Sequence, residues 1–210
     1  TGIGWHEARV PTIVTSVPRA AFTDVTARLK GEVSLPLVTT NRINMPDVAE
    51  KVLSEGQADM VSMARPFLAD AELVLKAEQD RADEINTCIA CNQACLDFIF
   101  SDRPVGCLVN PRAGRETEFR DTPTDTPKKV AVVGGGAAGM ATAAEAARLG
   151  HDVTLFEAQD KLGGQLNLAR AAPGKDEFAE KKGKEEGKRK KQGERKRRGK
   201  TGEEREREGG

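Results

Sequence analysis

The four cysteines of this 210-residue chain constrain its fold more than any other feature, because all of them lie within a span of twenty residues. They are Cys88, Cys91, Cys95 and Cys107, with the spacing C-x2-C-x3-C-x11-C. One short loop can direct the first three sulfur atoms to a common point, and the following segment brings the fourth, as a four-iron cluster requires. The spacing therefore predicts that these residues bind a [4Fe–4S] cluster.

Two other uses of the cysteines are weaker alternatives. Structural zinc sites more often use two paired C-x2-4-C knuckles, and the second pair is missing here. Disulfides are disfavoured because the run is too tightly spaced for independent bridges and because nothing at the amino terminus resembles a secretory signal. The pattern favours iron–sulfur over zinc, and it favours a reducing cytoplasm as the location of the protein.

The charge of the chain is divided unevenly along its length. Residues 181–210 contain fourteen Lys or Arg and seven Glu without one apolar side chain, whereas residues 1–180 hold 19 basic and 26 acidic residues. Such a tail could hold nucleic acid through phosphates without reading its sequence. A segment that cannot bury apolar surface is nevertheless expected to be disordered. We therefore expect a disordered low-complexity tail, which would also fit a frameshifted end, and no specific nucleic-acid partner.

Residues 1–80 have the pattern of alternating strands and helices. Their composition and turn residues predict helices at 20–30, 46–55 and 69–78 and strands at 35–40 and 58–64. Strands about two dozen residues apart with one short helix between them are the repeat of a parallel (β/α)8 barrel, of which only the last units would be present. Because Thr1 already lies within this pattern, we expect the chain to be a fragment of a longer protein.

Polar residues follow the predicted strands, where barrel enzymes collect their chemistry. Arg42 and Arg65 emerge from successive strands, so they could converge on one anion, with the backbone N–H groups near Ala64 and Arg65 completing a phosphate site. Two surface arginines that form salt bridges would give the same pattern. His6, in a third polar stretch, could donate a hydrogen bond to a carbonyl oxygen or could be purely structural.

A dinucleotide-binding pattern follows a linker at residues 122–127. A buried-type strand at 130–133 leads into a glycine-rich turn, an Ala-rich helix is predicted at 140–149, and a second strand is predicted at 152–156. In such a unit Gly134 makes the turn, Gly136 lets a pyrophosphate approach and Gly139 permits close packing of the helix on the strand. Glu157, at the end of the second strand, would bind the ribose hydroxyls.

The segment after Glu157 bears on which dinucleotide is bound. It continues to Gly163-Gly164-Gln165, and this arrangement resembles the FAD half of flavoprotein reductases that bind two dinucleotides. FAD is therefore favoured over NAD(P) at the glycine-rich turn.

Together these features make residues 1–180 similar to bacterial NADPH-dependent 2,4-dienoyl-CoA reductases, within the old-yellow-enzyme and trimethylamine-dehydrogenase-like superfamily. The resemblance is carried by residues 1–9, 36–44 and 58–70, by the cysteine segment with Asn92-Gln93, and by the glycine-rich turn. It implies an α/β protein in four parts. These are the end of an FMN barrel (1–80), a four-cysteine iron–sulfur segment (81–121), the first unit of a Rossmann-like FAD domain (122–180) and the tail (181–210).

The resemblance also implies roles for single residues. His6 would act at the substrate carbonyl, together with a tyrosine, and Glu7, Ala8 and Arg9 would line the substrate side. Arg42, Ala64 and Arg65 would hold the FMN phosphate. Further along the chain, Ala138, Glu157 and Gln165 would contact FAD.

The activity implied by the resemblance is reduction of a 2,4-dienoyl-CoA thioester during β-oxidation of unsaturated fatty acids. Electrons would pass from NADPH through FAD, a [4Fe–4S] cluster and FMN. The chain has no tyrosine, so the family's proton donor is not within it, and the NADPH site is also expected outside it. An amine dehydrogenase, a general ene-reductase, an inactive fragment and a zinc-stabilised non-enzymatic module are the alternatives. We expect an acyl-CoA as partner and no membrane, and the oligomeric state is left open, with a monomer allowed.

Overall fold

The computed structural model describes residues 1–2, 8–11, 13–119, 122–175, 177–178 and 195–198. The chain divides into two compact units, Thr1–Phe119 and Arg120–Gly210. Across the described ranges, no helix has both the length and the apolar character needed to cross a bilayer.

The first unit alternates short parallel strands with helices, as the sequence predicts. Strands β1 and β2 pair in parallel, with Val38 opposite Met60 and Thr39 opposite Val61. In chain order the elements are α1 (Thr23–Glu32), β1 (Val38–Thr39), α2 (Pro46–Ser54), β2 (Met60–Val61), α3 (Arg65–Ala69), α4 (Leu73–Glu78), a 3-10 turn (Ala82–Glu84) and α5 (Leu96–Phe100).

Two predicted helix boundaries are wrong, for local reasons. Helix α1 begins three residues late because Ala20 has a φ of 57°, outside the right-handed helical region, and the helix continues through Gly31 instead of stopping there. The helix predicted at 69–78 begins only at Leu73, and α3, which was not predicted, ends at Ala69. Asp70 is extended, with a φ of −151°, and its carboxylate accepts the Glu72 N–H at 3.0 Å, a local side-chain bond that competes with helical bonding in the residues before α4.

The first unit is held together by apolar packing and by one buried ion pair. Two clusters form its core, made of Ile43, Ala49, Val52 and Ala58 and of Met45, Leu73 and Ile85. Beside the second cluster, Lys76 Nζ donates to the two carboxylate oxygens of Asp70 at 2.9 and 2.7 Å, and both residues are buried. The Asn86 N–H also donates to Asp70, at 2.8 Å. This carboxylate therefore ties α3, α4 and the start of the cysteine segment together.

The second unit is a strand–helix–strand unit. It contains β3 (Lys129–Val133), α6 (Ala137–Arg148), β4 (Asp152–Glu157), α7 (Leu166–Ala169) and β5 (Arg195–Arg198). Strands β3 and β4 are parallel, with Lys129 opposite Asp152 and Val133 opposite Phe156. The core between this sheet and α6 consists of Met140, Ala143, Val153, Leu155 and Leu162. This is the βαβ arrangement that the sequence predicts for residues 130–157.

The prediction of a disordered tail is wrong for four of its residues. Arg195–Arg198 form β5, which pairs in parallel with β4, so that Thr154 is opposite Arg195 and Glu157 is opposite Arg198. Backbone N–H and C=O groups along the free edge of β4 can pair with another chain segment whatever its side chains are. The composition predicted disorder because the tail has no apolar side chains to bury, but strand pairing uses backbone groups, which composition does not describe. The remainder of residues 181–210 lies outside the described residues.

Candidate cofactor sites

The four cysteines surround one cavity, as their spacing predicts. Cys88, Cys91, Cys95 and Cys107 all line it, and all four are free, half-buried thiols. Three of them come from the segment between the 3-10 turn and α5. Cys107 is brought back by the turn after α5, where the Gly106 N–H donates to the Ala94 carbonyl at 2.7 Å.

The spacing of the thiols bears on which metal they fit. Four thiolates around one Zn²⁺, each at about 2.3 Å, would place their sulfur atoms only about 3.8 Å apart in a tetrahedron. Among the described side chains, no three of the His, Cys, Asp and Glu residues are grouped closely enough to hold one metal ion. A cubane cluster binds each thiolate to a different iron, so its ligands stand further apart. The cysteine cavity thus offers an all-thiolate donor set, which is the donor set that a four-iron cluster uses.

Burial affects the acidity of two of these thiols. It raises the pKa of Cys88, and this effect is opposed by the Ala90 backbone N–H and by the positive charge of Arg65. It also raises the pKa of Cys107, against the backbone N–H groups of Val109 and Asn110. Both thiols must lose their protons to bind a metal, so metal binding at this cavity releases protons.

A second cavity lies where β1 and β2 end. It is lined by residues 40–44 and 62–66 together with Ile13 and Cys88. Because β1 and β2 are parallel neighbours, the loops that follow them meet at the same edge. The structure thus brings Arg42, Ala64 and Arg65 to one cavity, as the anion hypothesis for Arg42 and Arg65 requires.

Each arginine is anchored to the backbone of the segment before α1. Arg42 is buried, at 6% exposure, and its Nε donates to the Val17 carbonyl at 2.7 Å. Arg65 Nη1 donates to the Ile13 carbonyl at 2.8 Å. These bonds fix both guanidinium groups at the cavity wall, and the two arginines are thereby distinguished from surface residues that only form salt bridges.

The cysteine segment forms hydrogen bonds with the residues at and near the cavity between the strand ends. Arg65 Nη1 also donates to Asn92 Oδ1 at 2.8 Å, and Asn92 Nδ2 donates to the Ile13 carbonyl at 3.1 Å. Asn44 Nδ2 donates to the Cys88 carbonyl at 2.9 Å, and Thr15 Oγ1 donates to the Ile89 carbonyl at 2.8 Å. Sequence reasoning missed Asn92, Asn44 and Thr15 as site residues, because a bond between residues 27 to 79 positions apart leaves no local pattern.

In the second unit, the glycine-rich turn has the conformation that a dinucleotide loop needs. Gly134 has a φ of 99°, in the left-handed region that favours glycine. A Cβ at Gly139 would lie 1.9 Å from the Gly134 carbonyl oxygen, so the helix can approach the turn this closely only without a side chain. A Cβ at Gly136 would meet nothing within 4 Å, which leaves open space at the start of α6. Each glycine therefore has the environment that its predicted role requires.

The end of β4 and the second glycine pair fold back on this turn. Glu157 Oε2 accepts the Gly135 N–H at 2.6 Å, and its Oε1 accepts the Gln159 N–H at 2.8 Å. Gly163 donates to the Gly135 carbonyl at 2.8 Å and forms a parallel bridge with Gly136. Ala138 and Gln165 are exposed near the first turns of α6 and α7. The structure thus brings together the turn, Glu157 and Gly163-Gly164, which the sequence connected only through their spacing.

The predicted substrate-side residues are His6, Glu7, Ala8 and Arg9, and nothing in the structure tests their roles. His6 and Glu7 lie outside the described residues, and Ala8 is half-buried while Arg9 is exposed. The roles of these four residues stay predictions.

Residues 1–84 match the family model described as NADH:flavin oxidoreductase / NADH oxidase, and residues 132–182 match one described as NAD(P)-binding Rossmann-like domain. Residues 1–84 are thus similar to the NADH:flavin oxidoreductase family. The second description names NAD(P), whereas the sequence favours FAD, which stays a prediction.

Two relatives align with most of the chain. It is 50% identical over 175 residues to a metal reductase of Desulforamulus reducens, covering 83% of this chain and 26% of the relative. It is 45% identical over 151 residues to an NADH oxidase of Thermoanaerobacter brockii, covering 70% and 23%. The chain thus spans about a quarter of the length of these relatives.

A solved structure of 2-naphthoyl-CoA reductase in complex with 2-naphthoyl-CoA superimposes with a TM-score of 0.89 at 36% identity, covering 93% of this chain and 30% of that one. The α/β fold is therefore the one that the sequence resemblance implied, and the family matched by residues 1–84 agrees with that resemblance. The narrower assignment to 2,4-dienoyl-CoA reductases stays a prediction.

Proposed function

We propose that this chain is part of an iron–sulfur flavoprotein oxidoreductase in which the four cysteines hold a [4Fe–4S] cluster beside an FMN site. The observation that carries the proposal is that the cysteine cavity and the cavity between the strand ends share two lining residues, Arg65 and Cys88. Two redox groups bound in these cavities would therefore be neighbours, and electron transfer between two groups requires proximity.

The residues of the chain have distinct tasks in this proposal. Arg42 and Arg65 pair with the phosphate of FMN, with a backbone N–H near Ala64 as a further donor. The turn between β3 and α6 presents backbone N–H groups to the pyrophosphate of FAD, and Glu157 accepts hydrogen bonds from its ribose. When bound, FAD accepts hydride from NADPH, the cluster passes single electrons, and FMN returns a hydride to the substrate.

The substrate we propose is a 2,4-dienoyl-CoA thioester, on the basis of the sequence resemblance. A hydride can add to the distal carbon of a dienoyl thioester only if negative charge can develop on its carbonyl oxygen, so a donor beside that oxygen stabilises the transition state. His6 is proposed as this donor. An acyl-CoA is then the small-molecule partner, and the reaction belongs to the breakdown of unsaturated fatty acids.

The test of the cluster is an anaerobic assay of iron and acid-labile sulfide on the full-length protein. About four of each per chain are expected, and Cys91→Ser should remove the brown chromophore while FAD reduction by NADPH continues. A stoichiometric amount of zinc without sulfide would refute the cluster and would support the zinc-stabilised module instead.

The substrate is tested separately, by turnover of a dienoyl-CoA compared with turnover of a methylated amine. Preference for the thioester is expected. Preference for the amine would refute the proposed substrate but not the proposed cluster and flavin sites, and it would assign the enzyme to the amine dehydrogenases.

A further inference from the structure

Arg65 occupies a position that the proposed function does not explain by itself. It lines the cavity between the strand ends, and it also lines the cysteine cavity. Among the described residues that line the cysteine cavity, it is the one with a charged side chain. Arg42, in contrast, lines only the cavity between the strand ends. The two arginines therefore share one predicted ligand, but only Arg65 also lines the cysteine cavity.

The guanidinium group of Arg65 is held between the two cavities by a closed set of hydrogen bonds. Its Nη1 donates to both the Ile13 carbonyl and Asn92 Oδ1, each at 2.8 Å, and Asn92 in turn donates to the same Ile13 carbonyl at 3.1 Å. Asn92 lies between Cys91 and Cys95 and adopts a left-handed conformation, with a φ of 62°. Asparagine tolerates this conformation better than most residues. The cysteine loop thus fixes the position of the Arg65 guanidinium at the cavity between the strand ends.

We propose that Arg65 is shared by the two cofactors, so that its charge raises the reduction potential of the cluster and the phosphate of FMN lowers that potential by neutralising the charge. Reduction adds one negative charge to the cluster, and a nearby guanidinium favours the reduced state. A phosphate dianion paired with the same guanidinium opposes this effect. Binding of the phosphate and reduction of the cluster are then coupled, and the coupling is reciprocal, so reduction of the cluster weakens the binding of FMN through its phosphate.

The coupling gives the flavin control over the direction of electron flow. A cluster whose potential falls when FMN is bound becomes a better donor only when its acceptor is in place. Electrons are then retained while the flavin site is empty. This regulation rests on the proposed function, since it requires both a cluster and a phosphate-bearing flavin.

The experiment compares FMN with riboflavin, which has the same redox-active ring and no phosphate. The midpoint potential of the cluster is measured on the full-length protein by redox titration, with the electron paramagnetic resonance signal of the reduced cluster as the readout. The potential is expected to be more negative with FMN than with riboflavin. For a one-electron couple, a tenfold difference in FMN affinity between the two cluster states corresponds to about 59 mV.

Matched arginine variants locate the effect. In the flavin-free protein, Arg65→Gln is expected to lower the potential of the cluster and Arg65→Lys to restore it, because lysine keeps the charge. Arg42→Gln should weaken FMN binding and leave the flavin-free potential unchanged. Equal potentials with FMN and riboflavin in the wild-type protein would overturn the proposal, even if Arg65→Gln fails to assemble a cluster. An equal shift in Arg42→Gln and Arg65→Gln would also overturn it.

The failure of the proposed function has a different signature. In that case the wild-type protein contains no sulfide, and no cluster signal exists to be titrated. A protein that contains the cluster but shows no difference between the two flavins retains the proposed function and refutes only the sharing of Arg65.

Discussion

The glycine-rich turn allows binding and stability to be separated with two single substitutions of the same kind. Gly136 and Gly139 lie three residues apart, and each is replaced by alanine. At Gly139 the new Cβ would lie 1.9 Å from the Gly134 carbonyl oxygen, far inside van der Waals contact, so the turn and α6 must move apart. Overpacking of this kind costs about 1–3 kcal/mol of the free energy of unfolding.

At Gly136 the same substitution meets open space, because nothing lies within 4 Å of the new Cβ. The φ of −74° suits alanine, which would stabilise the fold by about 0.4–1 kcal/mol through the unfolded state. Gly136 is also the N-cap of α6, where alanine is less favourable than glycine by about 0.5–1 kcal/mol, so the net effect on stability is near zero. The methyl group would instead occupy the space that a pyrophosphate needs. A clash of about 1–3 kcal/mol corresponds to a Kd that is roughly 5–150-fold higher.

Urea unfolding measures the stability of both variants, and equilibrium dialysis measures their affinity for FAD and for NADPH. We expect Gly136→Ala to unfold like the wild type and to lose FAD affinity, and Gly139→Ala to be destabilised. Wild-type affinity for both nucleotides in Gly136→Ala would refute the assignment of this turn to a pyrophosphate. Wild-type stability of Gly139→Ala would refute the steric argument. A loss confined to NADPH would reassign the site from FAD to NAD(P).

Three further predictions concern other parts of the chain. Asp70→Asn should lower the free energy of unfolding by up to about 3–5 kcal/mol, because it leaves the buried Lys76 ammonium with only the exposed Glu72 carboxylate, at 3.5 Å, as a charged partner. Asp70→Asn combined with Lys76→Met should recover part of the loss in the same urea assay. His6→Ala should lower turnover of dienoyl-CoA by about 10²–10³-fold, as loss of one donor to a developing oxyanion does, while the flavin content stays unchanged. Turnover at the wild-type rate would show that His6 is structural. A hydrogen bond from Lys30 Nζ and another from the Leu37 N–H lower the pKa of Asp59. This carboxylate therefore stabilises the fold at pH values above its ordinary pKa of about 3.9. The stabilisation is lost as the pH falls through the lowered pKa. Asp59→Asn should remove this part of the acid dependence of unfolding, and an unchanged acid profile would contradict it.

Several features of this protein could be predicted from its sequence because they depend on local patterns. The strand–turn–helix around Gly134 and the order of helices and strands from α1 to β2 follow from periodicity and from glycine and proline positions, which act within a few residues. The cysteine spacing predicted a shared cavity, and the four thiols do line one. The first residue of α1 and the break at Asp70 were predicted wrongly, because the left-handed conformation of Ala20 and the bond from the Glu72 N–H to the Asp70 carboxylate interrupt helical geometry without a clear sequence pattern.

Only the tertiary structure decided how the sites are connected. The sequence gives no sign that Asn92 bonds to Arg65, 27 positions away, or that both bond to the Ile13 carbonyl, because such contacts depend on how parallel strands bring distant loops to one edge. The pairing of Arg195–Arg198 with β4 is a similar case, since a free strand edge accepts a partner through backbone groups that composition does not describe. Local chemistry thus determined which residues can bind a cofactor, and the long-range packing of loops determined that Arg65 serves two cavities at once.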